Sequence, residues 1–153
     1  MVLAAACGDG GGGDGGGTSD AQLPPTGAAQ VRAWIEAGHY LDWRCEPAGH
    51  DARDPSPHGR NRICNNDAIT AGSGDFPLGA AAVKELLDSS DNIIGHAVYR
   101  KDAAGAGGAG WYWYEDVNGD VVADGAGTAG VPRDVCADCH SHAERDFVFT
   151  IVP

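Results

Sequence analysis

The residues with the clearest chemical potential lie near the end of the chain, in the stretch VCADCHSHAERDFVFT. Cys136, Cys139 and His140 stand there in the order C-x-x-C-H. One helical turn can present two thiols and an imidazole at this spacing to a single partner. Three chemistries use such a pattern: covalent attachment of a c-type haem, a redox-active dithiol, and half of a zinc site.

The surrounding sequence favours haem among these three. A thioredoxin-like dithiol lies at a strand-to-helix junction of a βαβ unit, and no such pattern surrounds Cys136. A four-cysteine zinc site needs a second close pair, whereas Cys45 and Cys64 are far apart in sequence. In haem attachment, the two thiols add across porphyrin vinyl groups and the adjacent histidine ligates the iron. We therefore predict one covalent haem c, held by Cys136, Cys139 and His140, with zinc and a redox dithiol as the alternatives.

The N-terminal sequence indicates an exported, lipid-anchored protein. Cys7 follows LAAA and resembles the lipidated cysteine of a bacterial lipobox, although only six residues precede it and none is basic. Residues 8–17 are eight glycines and two aspartates, which is typical of a flexible tether. We interpret residues 1–27 as a truncated lipoprotein signal with a linker, with an accidental match as the alternative. The signal would place the protein in the periplasm or outer cell envelope.

Export also gives a role to the remaining two of the five cysteines. Because disulfides persist in oxidising compartments, we predict a Cys45–Cys64 disulfide, with two buried free thiols as the alternative. Closing a loop of that length would contribute on the order of 3 kcal/mol to stability.

Composition limits the range of partners. The chain has 153 residues, with 22 Asp and Glu against 10 Lys and Arg, and this acidity argues against a nucleic-acid partner. No run of 18 apolar residues exists, so we expect contact with a membrane only through a lipid anchor. The length fits one folded domain, which we place at residues 28–153.

The pattern of the folded part predicts one α+β domain. It comprises an N-terminal helix, a mainly antiparallel sheet, and a short helix that carries the C-x-x-C-H. We expect the first helix within residues 24–38, with Thr26 as its cap and Gly38 at its end. The predicted strands are NRICNN, GAAAVKELLDS, NIIGHAVYRKD, a hairpin of GWYWYEDV and DVVADG that turns at Asn118-Gly119, and a last strand DFVFTIV.

With these segments in order, the chain resembles the cytochrome P-460 family, which includes the cytochromes c′-β. The resemblance covers roughly residues 40–152, through SPHG…RICNNDAI, FPLGAAAVKELLD, GWYWYE and CADCHSHAERDFVFT. It implies a largely β-sheet domain with one c-type haem. Members of the P-460 type oxidise hydroxylamine and carry a lysine bonded to the porphyrin, whereas c′-β members lack that bond and bind gases such as nitric oxide.

The resemblance assigns roles to two further residues. Lys84, in AVKELL, matches the cross-linking lysine, and Arg62, in RNRICN, matches an arginine of the distal pocket. An ordinary edge-strand lysine that extends to water, and a surface or ion-pair arginine, are the structural alternatives. We expect either an oxidoreductase that acts on hydroxylamine or a related nitrogen species, or a non-enzymatic cytochrome that binds nitric oxide or transfers electrons. A zinc-bearing or structural lipoprotein is the third alternative, and a redox partner protein and a homodimer are further expectations.

Overall fold

The computed structural model describes residues 23–153. Cys7 and the glycine-rich linker lie outside these residues, as does most of the predicted N-terminal segment. Within the described part, no helix is both long enough and apolar enough to cross a membrane.

A single sheet of six antiparallel strands forms the body of the protein, and each strand pairs with the next one in sequence. The strands are β1 (Arg44–Cys45), β2 (Asn61–Asn65), β3 (Ala81–Leu87), β4 (Ile93–Lys101), β5 (Trp111–Val117) and β6 (Asp120–Ala126). The helices are α1 (Ala28–Glu36) and α2 (Asp138–His140), and a π-helical segment, Pro132–Ala137, leads directly into α2. The predicted mainly antiparallel sheet with an N-terminal helix is confirmed, and the backbone at CADCH is helical.

Local sequence signals located several strands correctly. The predicted strand GAAAVKELLDS contains β3. Between β5 and β6 the chain turns at Asn118 and Gly119, which have φ angles of 51° and 89°. Asparagine and glycine tolerate this left-handed backbone, so the hairpin follows from two residues.

The start of the first helix differs from the prediction. Gly27, not Thr26, occupies the N-cap position of α1, and glycine has no side chain that could cap the helix. Tertiary contacts satisfy its first amides instead, because Gly27 donates to Tyr112 Oη and Ala28 donates to Asp124 Oδ2, each at 2.9 Å. A cap supplied by distant strands leaves no signal in the local sequence.

The prediction of a last strand over DFVFTIV is wrong. Residues 145–148 form a tight turn, in which the amide of Val148 donates to the carbonyl of Arg145 at 2.9 Å. The following residues do not join the sheet, and the Val152 amide donates to the Asn65 side chain at 2.6 Å. Alternating apolar residues indicate an extended chain, but this segment takes its hydrogen bonds from side chains rather than from a neighbouring strand.

The two faces of the sheet pack against different parts of the chain. On one face, Val31, Trp34 and Ile35 of α1 pack with Val83 and the other buried residues of that cluster, which include Cys64, Val98, Tyr112 and Tyr114. On the opposite face the core includes Ala82, Tyr99, Trp111 and Trp113 with Ala137 and Val148. The CADCH segment therefore covers the face that α1 leaves free.

Cys45 and Cys64 lie opposite each other on β1 and β2 and form a disulfide, as predicted. Cys64 is fully buried in the core beside α1, so the bond ties the short edge strand β1 to that core.

Replacing both Cys45 and Cys64 by alanine should lower the free energy of unfolding by about 3 kcal/mol, because the unfolded chain would regain the entropy of the open loop. Denaturant unfolding of the oxidised wild type and the double variant measures this difference. Labelling of denatured, unreduced wild-type protein should modify neither thiol. A labelled Cys45 or Cys64 would contradict the disulfide.

Candidate functional site

The three residues of the C-x-x-C-H pattern lie on consecutive helical turns. Cys136 belongs to the segment Pro132–Ala137, and Cys139 and His140 belong to α2. Both cysteines are free thiols and are partly buried. Residues three and four positions apart lie on the same side of a helix, so this backbone can present both sulfurs and the imidazole to one cavity.

His140 is oriented by a hydrogen bond and by aromatic rings. Its Nδ1 lies 2.7 Å from the carbonyl oxygen of Phe147, to which it donates. Trp113, Phe149 and Tyr99 surround the ring, with centroid distances of 4.8, 5.2 and 5.4 Å. Burial lowers the pKa of His140 to about 4. The imidazole is therefore neutral at pH 7, and Nε2 keeps a free lone pair.

Lys84 faces the same site from the middle of the sheet. Strand β3 lies between β2 and β4, so the interpretation of Lys84 as an edge-strand lysine is wrong. The Lys84 side chain is partly buried, and among residues 23–153 no carboxylate forms an ion pair with its ammonium. Burial lowers the pKa of Lys84 to about 8, against the opposing effect of the Glu115 and Glu46 carboxylates.

Two adjoining cavities, of about 240 and 140 Å³, open beside these residues. Both are lined by Pro57, His58, Lys84, Cys139 and His140. The larger cavity is mainly apolar, and its remaining lining includes Ala97, Tyr99, Trp113, Val122, Val135 and Cys136. The smaller one extends toward a polar loop that contributes His50, Arg53 and Ser56. Lys84 and the residues of α2, remote in sequence, thus share one space.

Arg62 does not reach this space. It lies opposite Glu85 in the β2–β3 register and its Nε is 2.8 Å from Glu85 Oε2. Ile63 and Lys84 form the next pair, and side chains alternate between faces along a strand. Arg62 and Glu85 therefore point to the α1 face, where Tyr40 Oη also donates to Glu85 at 2.8 Å.

Two cavity residues were missed by the sequence analysis. His58 Nδ1 lies 3.5 Å from Glu115 Oε1, and both side chains line the larger cavity. His58 lies in a turn-rich loop without periodicity, so no local signal points to it. Glu115 could have been found, because it follows Trp113 by two residues on β5 and must share its face.

The donor residues of the site fit a haem better than a zinc ion. Within residues 23–153, no group of three or more His, Cys, Asp or Glu is arranged to hold a metal ion by itself. The Cys45 and Cys64 sulfurs are bonded to each other and offer no thiolate to a zinc ion. A single neutral histidine beside two thiols fits a haem, whose macrocycle supplies four iron ligands of its own.

Comparison of the chain with protein-family models, with curated proteins and with solved structures finds no match. The resemblance to the cytochrome P-460 family therefore rests on the sequence segments quoted above.

In the haem-free chain, replacing Lys84 by methionine should raise the free energy of unfolding at pH 7 by on the order of 1–3 kcal/mol. The folded protein holds the Lys84 proton less tightly than the unfolded chain does, which stabilises the unfolded state at neutral pH. As the pH rises from about 8 to above 10, the unfolded chain also loses the Lys84 proton, and the wild type is no longer destabilised. The difference in unfolding free energy between variant and wild type should therefore shrink over this pH range. Urea unfolding at pH 7 and pH 10 measures both values. A stability gain that is absent at pH 7, or that grows with pH, would contradict the lowered pKa of a partly buried Lys84.

Proposed function

We propose that this protein is an exported mono-haem c-type cytochrome of the cytochrome P-460 kind. Cys136 and Cys139 would hold the haem through thioether bonds, and His140 would ligate its iron. The observation that carries the proposal is that these three residues and Lys84, which comes from a distant strand, all line the larger cavity. A helical turn without function would not need a partly buried lysine, with no ion-pair partner in the described part of the chain, opposite it.

The surroundings of His140 suit a metal ligand. Only a neutral imidazole can coordinate iron, and burial keeps this one neutral at pH 7. The hydrogen bond from Nδ1 to the Phe147 carbonyl selects the tautomer whose Nε2 is free to bind. When bound, the haem supplies an iron that changes oxidation state and takes up small ligands.

Lys84 supports an enzymatic role. A lysine with its pKa near 8 is about 300 times more often unprotonated at pH 7 than one with the usual value of 10.5. Only the neutral amine is a nucleophile, so burial prepares Lys84 for bonding to a macrocycle held beside it. The proposed activity is the haem-dependent oxidation of hydroxylamine or a related small nitrogen species.

A second candidate is a cytochrome that binds nitric oxide or transfers electrons. The larger cavity favours it, because Ala97, Tyr99, Trp113 and Val122 give it a lining suited to a small uncharged gas. The two candidates share the haem and the His140 ligand, and they differ in whether Lys84 is bonded to the macrocycle.

The disulfide, Cys7 and the net charge bear on where the protein would act and on its partner. The Cys45–Cys64 disulfide supports an oxidising compartment such as the periplasm. A lipid on Cys7 would hold the domain at the membrane surface. The net charge of −12 favours a redox partner with a basic docking surface.

A Cys136→Ala, Cys139→Ala double variant should carry no covalent haem, because no thiol would remain at the site to form a thioether. Mass spectrometry of the exported wild type and the variant measures this, with the Cys45→Ala, Cys64→Ala variant as a control that should keep its haem. Covalent haem in the Cys136→Ala, Cys139→Ala variant would contradict the proposed attachment.

If the enzyme candidate is right, a tryptic peptide that contains Lys84 should remain linked to the haem peptide of Cys136 and Cys139. Lys84→Ala should then restore an ordinary haem c absorption spectrum and abolish hydroxylamine oxidation, while circular dichroism shows an intact sheet. A wild-type protein with an ordinary spectrum and a free Lys84 peptide would reject the enzyme and leave the gas-binding or electron-transfer cytochrome.

A further inference from the structure

A buried ion pair lies next to the CADCH segment. Lys101 Nζ, on a side chain that is 2% exposed, lies 2.5 Å from Asp146 Oδ2, whose side chain is 6% exposed. The same oxygen accepts a hydrogen bond from the Phe76 amide at 2.7 Å. Lys101 Nζ also lies 5.7 Å from the centre of the Trp111 ring, and Asp75 Oδ2 is 3.6 Å away. Two charges are buried this deeply only when pairing and hydrogen bonds compensate them, so Asp146 is held in one position.

Asp146 is part of a turn with unfavourable backbone geometry. The turn spans residues 145–148, and its two central residues, Asp146 and Phe147, have φ angles of 40° and 65°. Residues other than glycine rarely adopt this left-handed conformation, because Cβ then lies too close to the backbone. Such a conformation persists where surrounding contacts hold it. Val148 anchors one end of this turn in the core, and the Asp146 carboxylate makes the buried polar contacts at its centre.

The turn determines the direction of one particular carbonyl group. Phe147 follows Asp146 directly, and its carbonyl oxygen accepts the hydrogen bond from His140 Nδ1. We propose that the Lys101–Asp146 ion pair positions His140: it holds the turn in its left-handed form and so aims the Phe147 carbonyl at Nδ1. Lys101 and Asp146 are positioning residues, since neither lines the cavities.

The orientation of the His140 ring by Lys101 and Asp146 does not depend on haem. Only its effect on an iron–Nε2 bond rests on the proposed function. A donated Nδ1 proton fixes the tautomer and the ring orientation, and it makes Nε2 a stronger electron donor. The ion pair, although it does not contact the cavity, would thereby influence the bond between His140 and iron.

Three variants of the full-length exported chain test the inference. Asp146→Asn keeps an oxygen that can accept from the Phe76 amide, but it loses the charge that pairs with Lys101. The double variant Lys101→Met, Asp146→Asn leaves no unpaired buried charge, and it decides the question if the single variant does not fold. Glu85→Gln is the matched control, because Glu85 is 4% exposed and pairs with Arg62 on the opposite face.

The measurement is the exchange rate of the His140 Nδ1 proton with water, followed by NMR. A protein that carries haem is measured in its diamagnetic ferrous carbon monoxide form. Exchange should be at least tenfold faster in Asp146→Asn and in the double variant, and unchanged in Glu85→Gln. In haem-loaded ferrous protein, the iron–histidine stretching frequency should also decrease in the first two variants. Wild-type exchange in the double variant, or an equal change in Glu85→Gln, would overturn the inference.

The same experiment separates this inference from the proposed function. If the exported wild type carries no haem, the cytochrome proposal fails, but Nδ1 exchange still reports whether the ion pair orients the ring. If haem is present and the variants leave exchange and stretching frequency unchanged, the positioning role fails and the cytochrome proposal stands.

Discussion

The alternation of side chains along three central strands is the constraint on which the rest of the structure depends. On β3, Val83 and Glu85 must face α1 if Lys84 is to face the cavities, and the antiparallel register extends this division to β2 and β4. A shift by one residue would bury Lys84 against α1 and expose Val83 to the site. The core beside α1 therefore fixes the register, and the register in turn determines which residues meet Cys139 and His140.

The site weakens the fold that holds it. Burial lowers the pKa of both Lys84 and His140. Below its usual pKa, each group binds its proton more readily in the unfolded chain, and this lowers the free energy of unfolding. The aromatic core around Trp111 and Trp113 and the Cys45–Cys64 disulfide provide compensating stability. Ionisable groups that reduce the stability of the fold, such as Lys84 and His140, are expected at functional sites.

Much of the fold could be predicted because its signals are local. Strand alternation, the Asn118-Gly119 turn and the C-x-x-C-H spacing each involve only a few neighbouring residues. The failures have tertiary causes: distant strands cap α1, and the segment after Arg145 turns at Asp146, whose carboxylate contacts Lys101 and Phe76 rather than a sheet neighbour. In the site, Lys84 could be singled out by resemblance, but its interior position depends on strand order. The assignment of Arg62 to the distal pocket was wrong, because side chains alternate along β2. Ile63 shares the face of Lys84, and Arg62, one residue earlier, points to the α1 face.

The central claim is that the CADCH turn holds a haem by covalent bonds, and staining for haem after denaturing electrophoresis tests it most directly. The account predicts that, in the exported wild-type chain, haem migrates with the polypeptide after complete unfolding and reduction. A full-length, exported protein that shows no haem at its position in the gel would contradict the account.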